Sequence, residues 1–219
     1  MKTAILFGAT GFIGSHLLHD LVNSPDYSRV IAVARKQLAV SHPKLTVLTG
    51  DLASLPALKP QLVADEIFIA LGTTRKHTPN ETEYYKIDHD YPLLAAGIAK
   101  ANGARSVFLV TAVGANAASS VFYVRTKGEV ERDILALDFE HTHIFRPSMI
   151  LGERDEDRPR ERLIVAVWNV INPLLVGPVS PYRGLTGNDI AHAIAKAARH
   201  QTEKVRIYQW KEMTALLRT

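Results

Sequence analysis

Short apolar runs alternate along the chain with longer segments in which apolar residues recur every three or four positions. Several of the runs are apolar throughout, which is typical of parallel strands covered on both faces. The pattern predicts strands at 4–7, 30–34, 46–48, 66–71, 106–111 and 142–145, and helices at 11–22, 84–102 and 121–137. It therefore predicts an α/β fold, a doubly wound parallel sheet between two helical layers.

The alternation stops after Ile150. Residues 151–186 are rich in Pro, Arg and apolar side chains, and the stretch GNDIAHAIAKAARH then predicts a helix with Asn188 or Asp189 as its N-cap. Because no composition shift marks a boundary, we predict a single domain over residues 1–219. By analogy with other folds of this class, we interpret residues 151–186 as a substrate-side insertion or lid.

Composition narrows the class of protein. Of the 219 residues, 47% are hydrophobic and 22% are charged, as in an ordinary globular domain. The lack of cysteine excludes disulfides and fits a reducing compartment. The apolar run before Gly8 is short for a secretion signal, and no stretch reaches the about 20 apolar residues that span a membrane. We therefore expect a cytoplasmic protein without membrane insertion.

The net charge of +4 does not indicate a nucleic-acid partner. Residues 190–219 hold six Lys or Arg against two Glu, which accounts for the whole excess. The densest charged run, at 153–162, has five acids and four arginines, so it makes no basic patch for a phosphate backbone. We interpret this run as a solvated loop or a self-paired lid.

In the stretch FGATGFIG, Gly8, Gly11 and Gly14 directly follow the first predicted strand and open the first predicted helix. In such a unit the first glycine permits a tight turn, the second lets a pyrophosphate approach backbone N–H groups, and the third lets helix and strand pack closely. The positive end of the helix attracts the diphosphate. The stretch predicts a Rossmann fold that binds a dinucleotide, with a structural glycine turn as the alternative.

Arg35, at the end of the second predicted strand, indicates which dinucleotide is bound. A cofactor with a free ribose 2′-hydroxyl usually meets an Asp or Glu about 20 residues after the glycines. A guanidinium instead binds a phosphate with paired hydrogen bonds. We predict that NADP(H) is preferred over NAD(H); a solvated arginine at a strand end is the alternative.

The stretch YVRTK places Tyr123 and Lys127 on one face of the predicted helix 121–137. A free tyrosine has a pKa of about 10. The Lys127 ammonium and the positive ring of an oxidised nicotinamide would lower that pKa, so Tyr123 could exchange a proton with a carbonyl oxygen. On its own the spacing also fits a surface helix pair.

These stretches resemble the short-chain dehydrogenase/reductase family, of its extended or atypical type, and most closely the branch that contains the Tat-interacting-protein oxidoreductase. Beyond the glycine loop, the matching stretches are GDL at 50–52, LGTTR at 71–75, DHDYPLLAAGIAKANGA, SSVFYVRTKGEVE and FRPSMILGERDEDRP. They follow in order up to about residue 160. The resemblance implies an NAD(P)-binding Rossmann domain with oxidoreductase activity.

The resemblance also implies roles for individual residues. Tyr123 would donate the proton, Lys127 would bind the nicotinamide ribose and tune Tyr123, and Thr111 would polarise the substrate carbonyl. The cofactor would contact Gly8, Thr10, Gly11, Phe12, Ile13 and Gly14 at the pyrophosphate, Arg35 at the 2′-phosphate, Asp51 and Leu52 at the adenine, Leu71, Gly72 and Thr73 at the inner ribose, Tyr123 and Lys127, and Pro147 and Met149 at the nicotinamide. Without the family, Asp51 would simply cap a turn.

The chain departs from the family's pattern before the tyrosine. Two adjacent hydroxyl residues are expected there, but the chain reads Thr111-Ala112, so either Thr111 substitutes or Ser119 and Ser120 approach from the next loop. Losing such a donor typically costs about 2.7–4 kcal/mol of transition-state stabilisation, so activity could be slow or absent. Asp88 also stands where many extended members carry an asparagine.

His141 and His143 share a face of a predicted strand, but no third metal ligand is evident nearby in sequence. Catalytic zinc usually needs three protein ligands, so we predict no metal site.

The sequence supports two functions. The first is an NADPH-dependent oxidoreductase of a small carbonyl or hydroxyl compound, with hydride transfer and Tyr123 as proton donor. The second, favoured by Ala112, is an NADPH-binding regulator or scaffold with little or no catalysis. A nucleotide-sugar epimerase is disfavoured because the chain is short. We expect a monomer or homodimer that binds a small-molecule substrate and no nucleic acid.

Overall fold

The computed structural model describes residues 1–152, 172, 175 and 177–218. The strands in these ranges are β1 Lys2–Phe7, β2 Tyr27–Ala34, β3 Leu45–Thr49, β4 Glu66–Ile69, β5 Ser106–Val110, β6 His141–Phe145, β7 Ile150–Leu151, β8 Leu185–Thr186 and β9 Val205–Tyr208. Seven of them form one parallel sheet in the order β3-β2-β1-β4-β5-β6-β9, while β7 and β8 pair separately.

Helices cover both faces of the large sheet. They are α1 Phe12–Asn23, α2 Leu55–Leu58, α3 Glu81–Tyr85, α4 Tyr91–Ala101, α5 Phe122–Leu135, α6 Gly187–Arg199 and α7 Trp210–Arg218, with a π turn at Lys86–Asp90 and 3-10 turns at Lys59–Gln61 and Gly177–Tyr182. One apolar core lies between the sheet and α1, α6 and α7, and a second lies under α4 and α5. The predicted doubly wound α/β fold of three layers is confirmed.

The direction of the chain reverses beside β1. From β1 the chain moves outward to β2 and β3, then returns to β4 on the other side of β1 and continues to β5 and β6. The loops after β1 and β4 therefore diverge and leave a crevice at the carboxyl ends of the two strands, which is where open α/β sheets bind ligands. The glycine loop directly follows β1, so it lies at this crevice.

The predicted helix 84–102 is interrupted by the π turn. Pro92 has no N–H for the carbonyl of Asp88, and its ring would clash with that carbonyl in a regular helix. The Tyr91 N–H instead bonds the Lys86 carbonyl five residues back. The turn buries Asp88 and His89, and π turns of this kind often occur at functional sites.

Helix α6 begins earlier than the pattern predicted. Its N-cap is Thr186, whose hydroxyl accepts a hydrogen bond from the Asp189 N–H at 3.0 Å. The predicted caps Asn188 and Asp189 are wrong because the short strand β8 runs directly into the helix. Strand β9 was not predicted, since only Tyr208 of its four residues is buried. Most of the predicted insertion at 151–186 lies outside the described residues, so its role stays a prediction.

The small β7–β8 sheet adjoins the start of α1 through Phe12. A Cβ on Gly152, just after β7, would lie 2.5 Å from the Phe12 Cζ. A Cβ on Gly187, just after β8, would lie 2.8 Å from the Phe12 Cδ1. The Phe12 ring therefore occupies the space that a side chain at either glycine would need.

We predict opposite effects of alanine at two helical glycines. Both Gly128→Ala in α5 and Gly97→Ala in α4 gain about 1 kcal/mol of helix propensity. A Cβ at Gly128 would lie 2.1 Å from the Ala117 nitrogen, whereas one at Gly97 meets no described atom within 4 Å. In urea denaturation, Gly128→Ala should lose about 1–3 kcal/mol through overpacking, and Gly97→Ala should gain stability. A stabilised Gly128→Ala variant would contradict the close contact.

Candidate functional site

A cleft of about 910 Å³ opens at the crevice between β1 and β4. An adjoining pocket of about 290 Å³ extends it past the end of β2. We refer to the two together as the cleft. Of the predicted site residues, those that line it are Gly8, Thr10, Gly11, Phe12, Ile13, Arg35, Leu71, Gly72, Thr73, Thr111, Tyr123 and Lys127.

The glycine loop leaves no room for side chains. Gly8 has a φ of +89°, and a Cβ there would lie 2.5 Å from the Ala70 carbonyl oxygen. A Cβ on Gly14 would lie 1.9 Å from the Gly8 carbonyl oxygen, so Gly14 permits close packing beneath the cleft and does not line it. Helix α1 has Gly11 as its N-cap and no side-chain cap. The N–H groups and partial positive charge of its first turn suit a diphosphate.

Arg35 is exposed and forms part of the wall of the smaller pocket, beside Val33, Ala34 and Tyr91. Burial raises the pKa of Tyr91 to about 12; Asp51 adds to this rise and Arg35 opposes it, so both charges lie near the same hydroxyl. The position at the end of β2 agrees with the predicted one. A guanidinium here can reach an anion held in the pocket.

Asp51 caps a turn and does not line the cleft. Its Oδ1 accepts hydrogen bonds from the Ser54 N–H at 2.9 Å and the Ser54 hydroxyl at 2.8 Å. Hydrogen bonding from the Ser54 backbone and hydroxyl lowers the pKa of Asp51. Leu52 packs against the core under α4 and α5. The turn-capping alternative therefore describes the geometry of Asp51, and its contact with adenine stays a prediction.

The loop after β4 is fixed by hydrogen bonds to its backbone. The Thr73 N–H donates to Asp88 Oδ2 at 2.9 Å, and the Tyr84 hydroxyl donates to the Thr73 carbonyl at 3.1 Å. The Thr73 and Thr78 hydroxyls lie 2.9 Å apart. These bonds join the loop, which lines the cleft, to α3 and the π turn.

Lys127 and Asp88 form a buried ion pair on the floor of the cleft. Lys127 Nζ lies 2.6 Å from Asp88 Oδ1, and the two side chains are 7% and 0% exposed. Asp88 was not among the predicted site residues. The signal was the Pro92 that follows it by four residues, because that proline produces the π turn in which Asp88 is buried.

Tyr123 lies one helical turn before Lys127 and lines the same cleft. Although 41% of the residue is exposed, burial of the phenol is the largest influence on it and raises its pKa. Lys127 opposes this rise and Asp88 adds to it. The effect of Lys127 has the predicted direction, but burial outweighs it in the free protein. A lowered pKa beside an oxidised nicotinamide stays a prediction.

The Thr111 hydroxyl donates its hydrogen bond within the protein and not into the cleft. The Thr111 hydroxyl donates to Glu131 Oε1 at 2.5 Å, and Arg146 Nε donates to the same oxygen at 3.0 Å. Ala112 is buried, and the Ser119 hydroxyl accepts a hydrogen bond from the Val121 N–H at 3.1 Å. Thr111 is therefore at the cleft, but it directs its proton to a carboxylate.

The segment after β6 contributes Ile150 to the cleft. The predicted residues Pro147 and Met149 are not among its lining. Their carbonyls accept hydrogen bonds from the Val113 N–H at 2.9 Å and the Leu185 N–H at 3.1 Å, which anchor the segment to its neighbours. Contact of these two residues with a nicotinamide stays a prediction.

The two histidines on β6 have other partners. His143 Nδ1 lies 2.9 Å from the Tyr208 hydroxyl, and His141 Nδ1 lies 3.0 Å from the Glu203 carbonyl. In the described part of the chain, no three His, Cys, Asp or Glu residues are grouped so that they could hold a metal ion. Among the same residues, none of the helices has the length and apolar character needed to cross a bilayer.

Comparison with known proteins identifies the family of the chain. A family model described as NAD(P)H-binding matches residues 8–163. The chain is 35% identical over 205 residues to the Candida glabrata protein named FMP52, mitochondrial, covering 93% of this chain and 88% of that protein. It is 33% identical over 226 residues to the protein of the same name from Eremothecium gossypii, covering 98% of this chain and 97% of that protein.

The fold is shared with solved structures of lower identity. MoeE5 in complex with UDP-glucose and NAD superimposes with a TM-score of 0.70 at 19% identity, over 97% of this chain and 80% of that chain.

The expected cytoplasmic location is wrong by these comparisons. Both of these relatives are named as mitochondrial proteins, which points to mitochondria instead. The lack of cysteine indicated only a reducing compartment, and the cytoplasm was assumed because it is the most common one. With residues 8–163 matched, the chain belongs to the NAD(P)H-binding family and has the Rossmann fold of the atypical short-chain dehydrogenases/reductases.

Proposed function

We propose that the protein is an NADPH-dependent oxidoreductase that acts on a small carbonyl or hydroxyl compound. One observation carries the proposal: the cleft lined by the first turn of α1 and by Arg35 is also lined by Tyr123 and Lys127. Groups suited to a diphosphate, to a 2′-phosphate and to proton transfer therefore share one cavity. A side chain at Gly8 would clash with the Ala70 carbonyl, and one at Gly14 would clash with the Gly8 carbonyl. Only glycine at these positions allows the close backbone packing on which a backbone-bound diphosphate depends.

The residues of the chain would hold and move the proton of the reaction. The bound cofactor supplies the hydride. Tyr123 donates its hydroxyl proton to the substrate oxygen during reduction and accepts it in the reverse direction. Lys127 stabilises the phenolate that remains. Helix α5 presents both groups one turn apart, and Asp88 holds Lys127 at the cleft floor.

A preference for NADPH is supported by the charge at the end of β2. Arg35 is exposed beside the smaller pocket, where a 2′-phosphate would gain charge-assisted hydrogen bonds. The neighbouring carboxylate, Asp51, has its Oδ1 engaged by Ser54.

A second function is favoured by the bonding of Thr111. Its hydroxyl donates to Glu131, and Ala112 has none, so the end of β5 offers no evident donor to a substrate carbonyl. This observation supports an NADPH-binding regulator or scaffold with little or no turnover.

Arg35→Ala is expected to weaken NADPH binding by about 10- to 100-fold while leaving NADH binding unchanged. The loss corresponds to a hydrogen bond between charged groups, about 1.5–3 kcal/mol. Titration calorimetry of nucleotide-free protein measures both affinities. Arg29→Ala, an exposed position at the other end of β2, serves as the matched control and should change neither. A wild-type protein that binds NADH more tightly than NADPH would contradict the assignment.

Tyr123→Phe is expected to lower kcat by about 10²–10⁴-fold without changing the affinity for NADPH. NADPH absorbance followed over a panel of ketones, aldehydes and quinones measures the rate. Because the pKa of Tyr123 is raised, reduction by the wild type should persist through neutral pH and decline only in alkaline solution.

Tyr85→Phe is the control for this substitution, because Tyr85 stacks on His89 and is not among the residues that line the cleft. Full turnover by Tyr123→Phe would refute Tyr123 as the donor. Tight NADPH binding with no turnover over the whole panel would favour the regulator.

A further inference from the structure

We propose that Asp88 is a positioning residue: it neutralises Lys127 in the free protein and so keeps Tyr123 as a neutral phenol, ready to donate a proton. The catalytic meaning of this role rests on the proposed function. The physical claim concerns only the protonation of Tyr123, which can be measured without turnover.

The ion pair places two opposite charges in direct contact, so Asp88 offsets part of the Lys127 charge. Asp88 Oδ1 and Lys127 Nζ are 2.6 Å apart, and both side chains are buried. Asp88 Oδ1 receives no regular hydrogen bond from the described residues, so the Lys127 ammonium is its close partner. Asp88 Oδ2 is held by the Thr73 N–H. Charges in such a site are weakly screened, so a third group nearby responds to their sum.

Tyr123 is within the influence of both charges. From its own helix, Lys127 favours the phenolate; from the π turn, Asp88 opposes it; and burial, the largest influence, also favours the phenol. Tyr84, from α3, is also close enough to Tyr123 for the two to influence each other electrostatically. Burial raises the pKa of Tyr84, and Arg75, in the loop after β4, opposes this rise. The other titratable groups that line the cleft are His16, Arg35 and His77.

The protonation of Tyr123 should differ between this chain and one with a neutral residue at position 88. With a neutral partner, Lys127 would act on Tyr123 as an uncompensated cation and draw it toward the phenolate, the form that accepts a proton. With Asp88, the pair has no net charge, and burial leaves the phenol protonated. The arrangement favours reduction of a carbonyl over oxidation of an alcohol at neutral pH.

A charge cycle at the two positions tests the proposal. The tyrosinate absorbance of each variant is titrated, and the curve of the same variant carrying Tyr123→Phe is subtracted to isolate Tyr123. Asp88→Asn leaves an oxygen for the Thr73 N–H but removes the charge, so the Tyr123 midpoint should fall by on the order of one pH unit. The double variant Asp88→Asn/Lys127→Gln is neutral again, and its midpoint should lie above that of Asp88→Asn, because the effect of Lys127 is removed as well.

The control is Asp90→Asn, the same substitution in the same π turn. The Asp90 side chain is 45% exposed and pairs with His89, so the Tyr123 midpoint should not move. A midpoint in Asp88→Asn that is unchanged or raised would overturn the proposal.

If Asp88→Asn alone does not fold, the double variant is compared with Lys127→Gln, since the two differ only in the charge at position 88. The double variant should titrate at the lower pH of the two, and equal midpoints would overturn the proposal. Since the titration needs neither cofactor nor substrate, a protein without turnover can still confirm the role of Asp88. Where turnover is found, the alkaline decline of reduction should move to lower pH in Asp88→Asn.

Discussion

The contact between the start of the first helix and the carbonyl of Gly8 governs the cofactor side of the molecule. With 1.9 Å between that oxygen and the place where a Cβ of residue 14 would stand, only glycine lets α1 approach β1 so closely. The approach brings the positive end of the helix to the crevice where the sheet reverses direction. Arg35 at the end of β2 and the loop after β4 then take their places around the same opening.

Paired charges organise the other end of the cleft. Lys127 is paired with Asp88, and Glu131, one turn further along α5, is paired with Arg146. An unpaired charge in a buried position is costly, so each pair fixes its side chains in place. The second pair also affects Thr111, because the Thr111 hydroxyl donates a hydrogen bond to the paired Glu131 carboxylate.

The local sequence pattern predicted the central strands of the fold and the diphosphate cradle of the site. Apolar runs identified the central strands because parallel strands are buried on both faces, and FGATGFIG identified the diphosphate cradle because glycine is required by close backbone contacts. The exposed edge strand β9 lacks such a run. The net pKa of Tyr123 could not be predicted, because burial of the phenol is the largest influence on it and depends on tertiary packing. Asp88 adds to the rise, and it is distant in sequence from the Lys127 with which it pairs. The bonding of Thr111 likewise depends on β6 and α5 meeting in space.

The ring of Phe12 links the sequence of the small sheet to the position of the cradle. It stands in the first turn of α1 and occupies the space beside both the residue after β7 and the residue after β8. Any side chain at position 152 or 187 could therefore be accommodated only if this ring, or the turn that carries it, shifted. Two glycines far from the glycine loop in sequence thus constrain the same helix start as Gly8 and Gly14 do.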